Sequence, residues 1–309
     1  MKVSVIGRIC IACAAFFAVS CALQPQYATR AEKILAETNN PDSKYVVVIS
    51  HRGDWRNYPE NSIPAIESVI RMGVDILEID LKMTKDSVLV LSHDKTIDRM
   101  LNGKGLVSDF TLDSLKTFRL KRAHNVTTDS LRIATLEEAL TVCKDRIVVN
   151  LDHAWDYYDE ALAVAEKLGV TNQILMKGKK PLDVVESKFA SHENNFMYMP
   201  IIDINKTSGQ KLFGEYKELG VGTQIAYEVC WNKLTPEVED CMKQIIEGGS
   251  KVWANSIWGS LCGYLDDDAA YEYGPENYYG KLVDMGVTMI QTDRPEFIIN
   301  YLRSRGLHD

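Results

Sequence analysis

Two histidines in this chain each adjoin a charged residue at the end of a branched apolar run. His51 and Arg52 follow VVVIS, and His93 follows VLVLS and precedes Asp94. Histidine changes its charge near neutral pH, so a pair can take a proton from one oxygen and return one to another. Glu78 and Asp80 lie two apart in an extended segment and so point to the same side. Carboxylates that close repel each other unless a cation or proton lies between them. Asp152, just after another apolar run, offers a third oxygen. Three oxygen donors without cysteine suit one hard divalent cation, Mg²⁺ or Ca²⁺, rather than zinc. The competing reading makes these acids solvated strand ends or partners of Arg and Lys. Two bases, a permanent cation at Arg52 and an acidic cradle are what cleavage of a phosphodiester requires. One group activates the attacking oxygen, another protonates the leaving alkoxide, and the cations neutralise phosphate charge.

The elements that must position these groups alternate regularly. Short apolar runs occupy residues 45–50, 75–81, 147–151, 173–176, 196–202, 223–229, 251–255 and 287–292. Amphipathic stretches follow them, several ending at glycine, a common helix stop. The stretch 135–143 opens with Thr135 and Glu138 in capping-box spacing, and Pro236 sits where a first helical residue belongs. Eight strand–helix units with apolar, non-alternating strands predict an α/β fold, a (β/α)8 TIM barrel. A doubly wound open sheet is the alternative, but no G-x-G-x-x-G loop supports it. In a barrel the reactive groups belong at the C-terminal strand ends, where His51, Arg52, Asp152, His153, Lys177, Asn255 and Asp293 all fall. About 50 residues, 82–131, interrupt the alternation between strand 2 and helix 2 as an insertion, opened by a returning strand around DSVLVLSHD. Long inserts after barrel strands usually cover the catalytic face.

The formal charge of −8 over 309 residues argues against a nucleic-acid partner. Residues 1–20 read as a secretory signal, with Lys2 and Arg8 before a short apolar run, and AVSC resembles a bacterial lipobox ending at Cys21. Lipidation of Cys21 would make the protein an exported, lipid-anchored envelope protein on the periplasmic side, joined through a tether at 21–44 to one domain at 45–309. Ordinary signal cleavage is the alternative. Loss of Lys2 and Arg8 with the signal takes the formal charge from −8 to −10. Cys143, Cys230, Cys241 and Cys262 remain without a C-x-x-C and are expected to be buried free thiols.

HRGD with PENS (residues 51–54 and 59–62), then GVDILEIDLKMTKDSVLVLSHDKTIDR (73–99), GKG (103–105), VWANS (252–256) and TDRP (292–295), resemble the glycerophosphodiester phosphodiesterase family. The resemblance covers essentially the whole domain. It implies a TIM-barrel, metal-dependent hydrolase that splits glycerophosphodiesters into sn-glycerol 3-phosphate and an alcohol. His51 and His93 match the acid/base histidines, Arg52 the phosphate-binding arginine, and Glu78 and Asp80 two metal ligands. The family mechanism uses a substrate glycerol hydroxyl as nucleophile, giving a cyclic phosphate that water opens. At the third strand the family has Glu-x-Lys, whereas this chain has Asp152 and then Ala154. Asp152 is carried over as the third ligand, and Lys177, one strand along, is the candidate replacement for the lysine; an exposed lysine in KGKK is the alternative.

Glu60 and Asn61 are expected to brace the first loop or approach substrate, and Trp253 to stack on the glycerol or pack the barrel. Asp266–Asp268 reads as a solvated loop, and His153 as structural or a neighbour of the site. Related functions remain open. The same barrel could act on glycerophosphoinositol or lysophospholipid diesters, or bind glycerophosphodiesters without cleaving them. No protein partner is implied.

Overall fold

The computed structural model describes residues 26–122 and 125–309. The signal-type segment and Cys21 lie outside the described residues. The chain runs through α1 (Arg30–Asn39), β1 (Val47–His51), α2 (Ile63–Met72), β2 (Ile76–Met83) and β3 (Leu89–Leu91). Then come α3 (Leu112–Thr117), α4 (Leu136–Cys143), β4 (Val148–Asp152), α5 (Tyr158–Leu168), β5 (Ile174–Gly178) and α6 (Leu182–Phe189). It continues with β6 (Met197–Asp203), α7 (Thr207–Leu219), β7 (Ala226–Cys230), α8 (Pro236–Glu247) and β8 (Lys251–Asn255). The last elements are α9 (Asp267–Tyr273), α10 (Tyr279–Asp284), β9 (Met289–Thr292) and α11 (Pro295–Ser304).

Strands β1, β2, β4, β5, β6, β7, β8 and β9 pair in parallel, and β9 returns to β1 to close an eight-stranded TIM barrel. The expected helix signals operate: Thr135 and Glu138 form a reciprocal capping box on α4, and Pro236 opens α8. Strand residues alternate between the two sides of the wall. Val47, Ile49, Ile76, Val148, Leu175, Met199, Ala226, Trp253 and Met289 pack together inside the barrel. Two residues further along each strand, the same inward side carries His51, Glu78, Asn150, Lys177, Glu228, Asn255 and Gln291, with Ile201 the apolar exception. An apolar layer therefore floors a polar one, which is how a barrel wall becomes a site without losing its core.

The segment read as a tether holds α1. Thr29 caps it by accepting a bond from the Glu32 amide at 3.1 Å, and Ala31, Ile34 and Thr38 form its buried stripe. Ile34 joins the barrel-interior cluster, so α1 seals the N-terminal end of the barrel. Arg30 donates to the Gly73 and Val74 carbonyls at 2.7 and 2.6 Å and pairs with buried Asp75 at 3.1 Å. The spacing of three small or apolar residues in a polar stretch was the available signal. The ordered domain thus begins before residue 45.

The insertion has its own small core of Val90, Ile97, Met100, Leu101, Val107, Leu115, Leu120 and Ile133. Its first strand, β3, runs antiparallel to β2 with Leu91 opposite Leu81, which delivers His93 back to the barrel mouth. The four remaining cysteines are buried and unpaired.

Candidate active site

β1 and β2 fix the first half of the site. In the parallel register His51 lies opposite Glu78, and Asp80 lies opposite Asp152 on β4. After His51 the chain must turn sharply: Arg52 takes a left-handed φ of 56° and Gly53 one of 74°. A Cβ on Gly53 would come within 3.0 Å of Ala65, so this turn is closed to larger residues. It aims the Arg52 amide at Glu78 Oε2 (2.9 Å), while the Arg52 guanidinium reaches Asp80 (Nε to Oδ2, 3.3 Å) and Glu60 (3.3 Å).

Glu60 and Asn61 act on other site residues. Glu60 holds Arg52 and is gripped by both terminal nitrogens of Arg99. Asn61, itself at φ 54°, donates from Nδ2 to Asp80 Oδ2 at 3.0 Å and accepts the Asp80 amide at 3.3 Å. The PENS motif therefore braces the arginine and an acid.

Glu78, Asp80 and Asp152 each offer a carboxylate oxygen within 4.8 Å of the others'. Glu78 is fully buried, and its Oε1 has no hydrogen-bond donor. Burial, with the neighbouring Asp80 and Asp152 charges, pushes its carboxyl well above the usual range, although Lys177 and Arg52 pull the other way. An orphaned buried oxygen facing two like charges is the arrangement a divalent cation satisfies, so the donor set fits a hard metal. For Asp152 burial works against ionisation, but Lys177 and His153 outweigh it and hold the carboxyl below the usual range.

His51 is nearly buried, and its Nδ1 lies 2.8 Å from Asp293 Oδ1, which also accepts from Trp55 Nε1 at 2.7 Å. Trp258 meets the His51 ring edge-on at 5.9 Å. His93 is similarly backed: its Nδ1 lies 2.7 Å from Asp94 Oδ1, and Arg99 Nε donates to the other Asp94 oxygen at 2.7 Å. Arg99 first, then His93, holds the Asp94 carboxyl at about 2. His153 lies against His93, ring centroids 5.1 Å apart.

Lys177 is not the exposed lysine of KGKK. It is 6% exposed and lies 3.1 Å from Glu228 and 3.5 Å from Asp152. Burial opposes its charge, but Asp152, Glu228 and Glu78 overcome that and raise its affinity for the proton. Of the two alternatives for Trp253, the structure takes packing in the barrel. Trp253 is 0% exposed in the apolar layer, with Lys177 5.3 Å from its ring centre, and its Nε1 donates to Asn255. It supports Lys177 from below and has no face left for a ligand, because its strand position falls one layer beneath the mouth.

Glu228, Arg99 and the pairing of Asp293 with His51 did not stand out in the sequence. A glutamate inside the apolar strand AYEVC was the one visible signal, since a buried strand carries a charge only where something pairs with it. Asp267 corrects the solvated-loop reading of Asp266–Asp268. It is 2% exposed and accepts from Ser256, Tyr279, Thr292 and the Asp293 amide.

Comparison with known proteins agrees with this architecture. Residues 51–197 match the sequence model of the glycerophosphoryl diester phosphodiesterase family, and residues 198–302 match one for a domain of unknown function. Over 267 residues, 84% of this chain and 99% of the relative, the sequence is 27% identical to the glycerophosphodiester phosphodiesterase of Caldanaerobacter subterraneus subsp. tengcongensis. The fold superposes with TM-score 0.73 on a glycerophosphoryl diester phosphodiesterase from Parabacteroides distasonis, 24% identical, covering 89% of this chain and 92% of that one. It also superposes on a phosphodiesterase from Oleispira antarctica solved with sn-glycerol-3-phosphate (TM-score 0.60, 19% identity, covering 83% of this chain and 96% of that one). With residues 51–197 matched by the family's sequence model and a bacterial member aligned along nearly its full length, the chain is similar to the glycerophosphodiester phosphodiesterase family.

Proposed function

We propose that the protein hydrolyses glycerophosphodiesters to sn-glycerol 3-phosphate and an alcohol, using His51 and His93 for proton transfer around one divalent cation. The observation that carries this reading is the meeting of two carboxylate-backed histidines with three carboxylates at one barrel mouth. The names of the bacterial relative and of the Oleispira antarctica complex support the substrate class.

Arg52 holds the phosphate, kept in place by Glu60 and by its own strained turn. Glu78, Asp80 and Asp152 hold Mg²⁺ or Ca²⁺, which when bound neutralises charge on the phosphate oxygens. One histidine accepts the proton of the attacking glycerol hydroxyl as its oxygen bonds to phosphorus, and the other protonates the departing alkoxide. The P–O bond to the alcohol breaks and a cyclic phosphate remains. In the second step the roles reverse: water loses a proton to the second histidine, attacks phosphorus, and the first histidine reprotonates the glycerol oxygen. An internal hydroxyl is favoured because its effective concentration far exceeds that of a free nucleophile. Lys177 orients Asp152 and balances Glu228 beneath the phosphate site.

Lipidation at Cys21 and residence on the periplasmic side of the envelope belong to the same proposal; they rest on the lipobox-like AVSC. Among the described residues no helix is long and apolar enough to cross a membrane.

The test is turnover of glycerophosphocholine, glycerophosphoinositol and lysophosphatidylcholine with Mg²⁺ or Ca²⁺, scoring release of sn-glycerol 3-phosphate from the first two and of acylglycerol phosphate from the third. Release from at least one glycerophosphodiester, lost in His51→Ala, is expected. No glycerol phosphate from either glycerophosphodiester would overturn the assignment.

A further inference from the structure

We propose that Asp80, His93 and His153 form a second cation site, suited to a borderline divalent ion such as Zn²⁺ and sharing only Asp80 with the all-oxygen triad. One ligand atom from each of the three lies within 4.8 Å of the others. Ligand atoms on a tetrahedral Zn²⁺ ion stand about 3.4 Å apart, from bond lengths of about 2.1 Å. Side-chain rotations that draw the three atoms together by about 1 Å close the site, and the partly exposed His93 and exposed His153 have solvent on one side to move into.

Donor chemistry separates this set from its neighbour. Glu78, Asp80 and Asp152 present oxygen alone, the preference of Mg²⁺ and Ca²⁺. Two imidazoles and one carboxylate favour Zn²⁺ and similar ions. His93 also has the backing that metal-bound histidines usually have. Its Nδ1 is engaged by the Asp94 carboxylate at 2.7 Å, which leaves Nε2 as its ligand atom. Arg99 fixes Asp94 in turn. Asn61 and Arg52 both approach the same Asp80 oxygen, Oδ2.

His153 completes the set from an unusual backbone conformation. Its φ of 50° is left-handed, and this turn directly after Asp152 brings its ring edge-on to His93. Among the described residues no side chain is hydrogen-bonded to the His153 ring, and its backbone amide is bonded to Asp152 Oδ1 at 2.8 Å.

Where His93 carries a proton during turnover, as in the reading above, a Zn²⁺ ion on its Nε2 blocks that step. The second site is then inhibitory. That consequence rests on the proposed function; the binding itself does not.

The experiment titrates Zn²⁺ into the Mg²⁺-saturated full chain by calorimetry, with Co²⁺ absorption as a geometric readout, for wild type and His153→Asn. Asparagine tolerates a left-handed φ, so the variant keeps the turn and loses the imidazole. Expected are one Zn²⁺ bound by wild type, weakening on the order of 10–100-fold in the variant, and loss of the Co²⁺ ligand-field bands. Turnover of glycerophosphocholine in saturating Mg²⁺ should fall with Zn²⁺ in wild type and resist it in His153→Asn. Equal Zn²⁺ affinity in the two proteins overturns the site. If the wild type releases no glycerol phosphate at all, the proposed function fails while the binding comparison still decides the site.

Discussion

His51 Nδ1 and Asp293 Oδ1 lie 2.8 Å apart across the seam where β9 returns to β1. Asp293 is held by more than this contact. Trp55 donates to the same oxygen, and the Asp293 amide donates to Asp267 at 2.6 Å. The pairing fixes the ring of His51 and leaves Nε2 for the reacting oxygen. Asp293→Asn keeps the shape but cannot balance an imidazolium. We expect kcat to fall about 10²–10⁴-fold, the usual contribution of a positioned acid/base, with KM little changed. Steady-state kinetics on glycerophosphocholine check this, and an undiminished kcat would remove His51 from proton transfer.

The orphaned Glu78 oxygen makes the acidic cradle sensitive to metal removal. EDTA should abolish turnover, and Mg²⁺ or Ca²⁺ should restore it. An ion that binds only the folded chain also stabilises it, by about 2.7 kcal/mol at a hundredfold excess over Kd. Melting temperature should therefore rise with added metal in wild type and respond far less in Glu78→Gln. A chelator-indifferent enzyme would leave the three acids without this role.

The barrel and half of the site were legible in the sequence because both depend on local order. Apolar runs ending in His51-Arg52 or Asp152 show strand and mouth together, and Glu78 and Asp80 show a shared face. Pairings across the closed sheet were not legible. Nothing near His51 points to Asp293, 242 residues away, and nothing near Lys177 points to Glu228. Layer depth was hidden as well: Trp253 and Asn255 look equivalent along β8, yet only barrel packing puts the first beneath the site. The Asp266–Asp268 run looks like solvated loop by composition, and only α9 and the β9 end bury its middle member.

Lys177 and Glu228 are a buried pair, 3.1 Å apart. Removing one partner of such a pair leaves an uncompensated charge and typically costs about 3–5 kcal/mol. Lys177→Met should destabilise the chain by that order in urea unfolding, and adding Glu228→Gln to it should recover a large part. A single variant as stable as wild type would show that the lysine charge is not needed to hold Glu228.

Asp267 gives a pH signature of its own. Burial, partly offset by bonds from Ser256, Tyr279 and the Asp293 amide, raises its carboxyl from 3.8 to about 6. A raised folded value means that the native state holds this proton more tightly than the unfolded chain does. The resulting stabilisation is complete below about pH 3.8 and is lost as pH rises to about 6, a swing on the order of 3 kcal/mol at most. Asp267→Asn carries no such titration. The stability difference between variant and wild type, measured by urea unfolding from pH 4 to 7, should therefore shift in favour of the variant as pH rises. A difference that stays constant over this range would mean that Asp267 is ionised throughout, its charge carried by the three hydroxyls and the amide that converge on it.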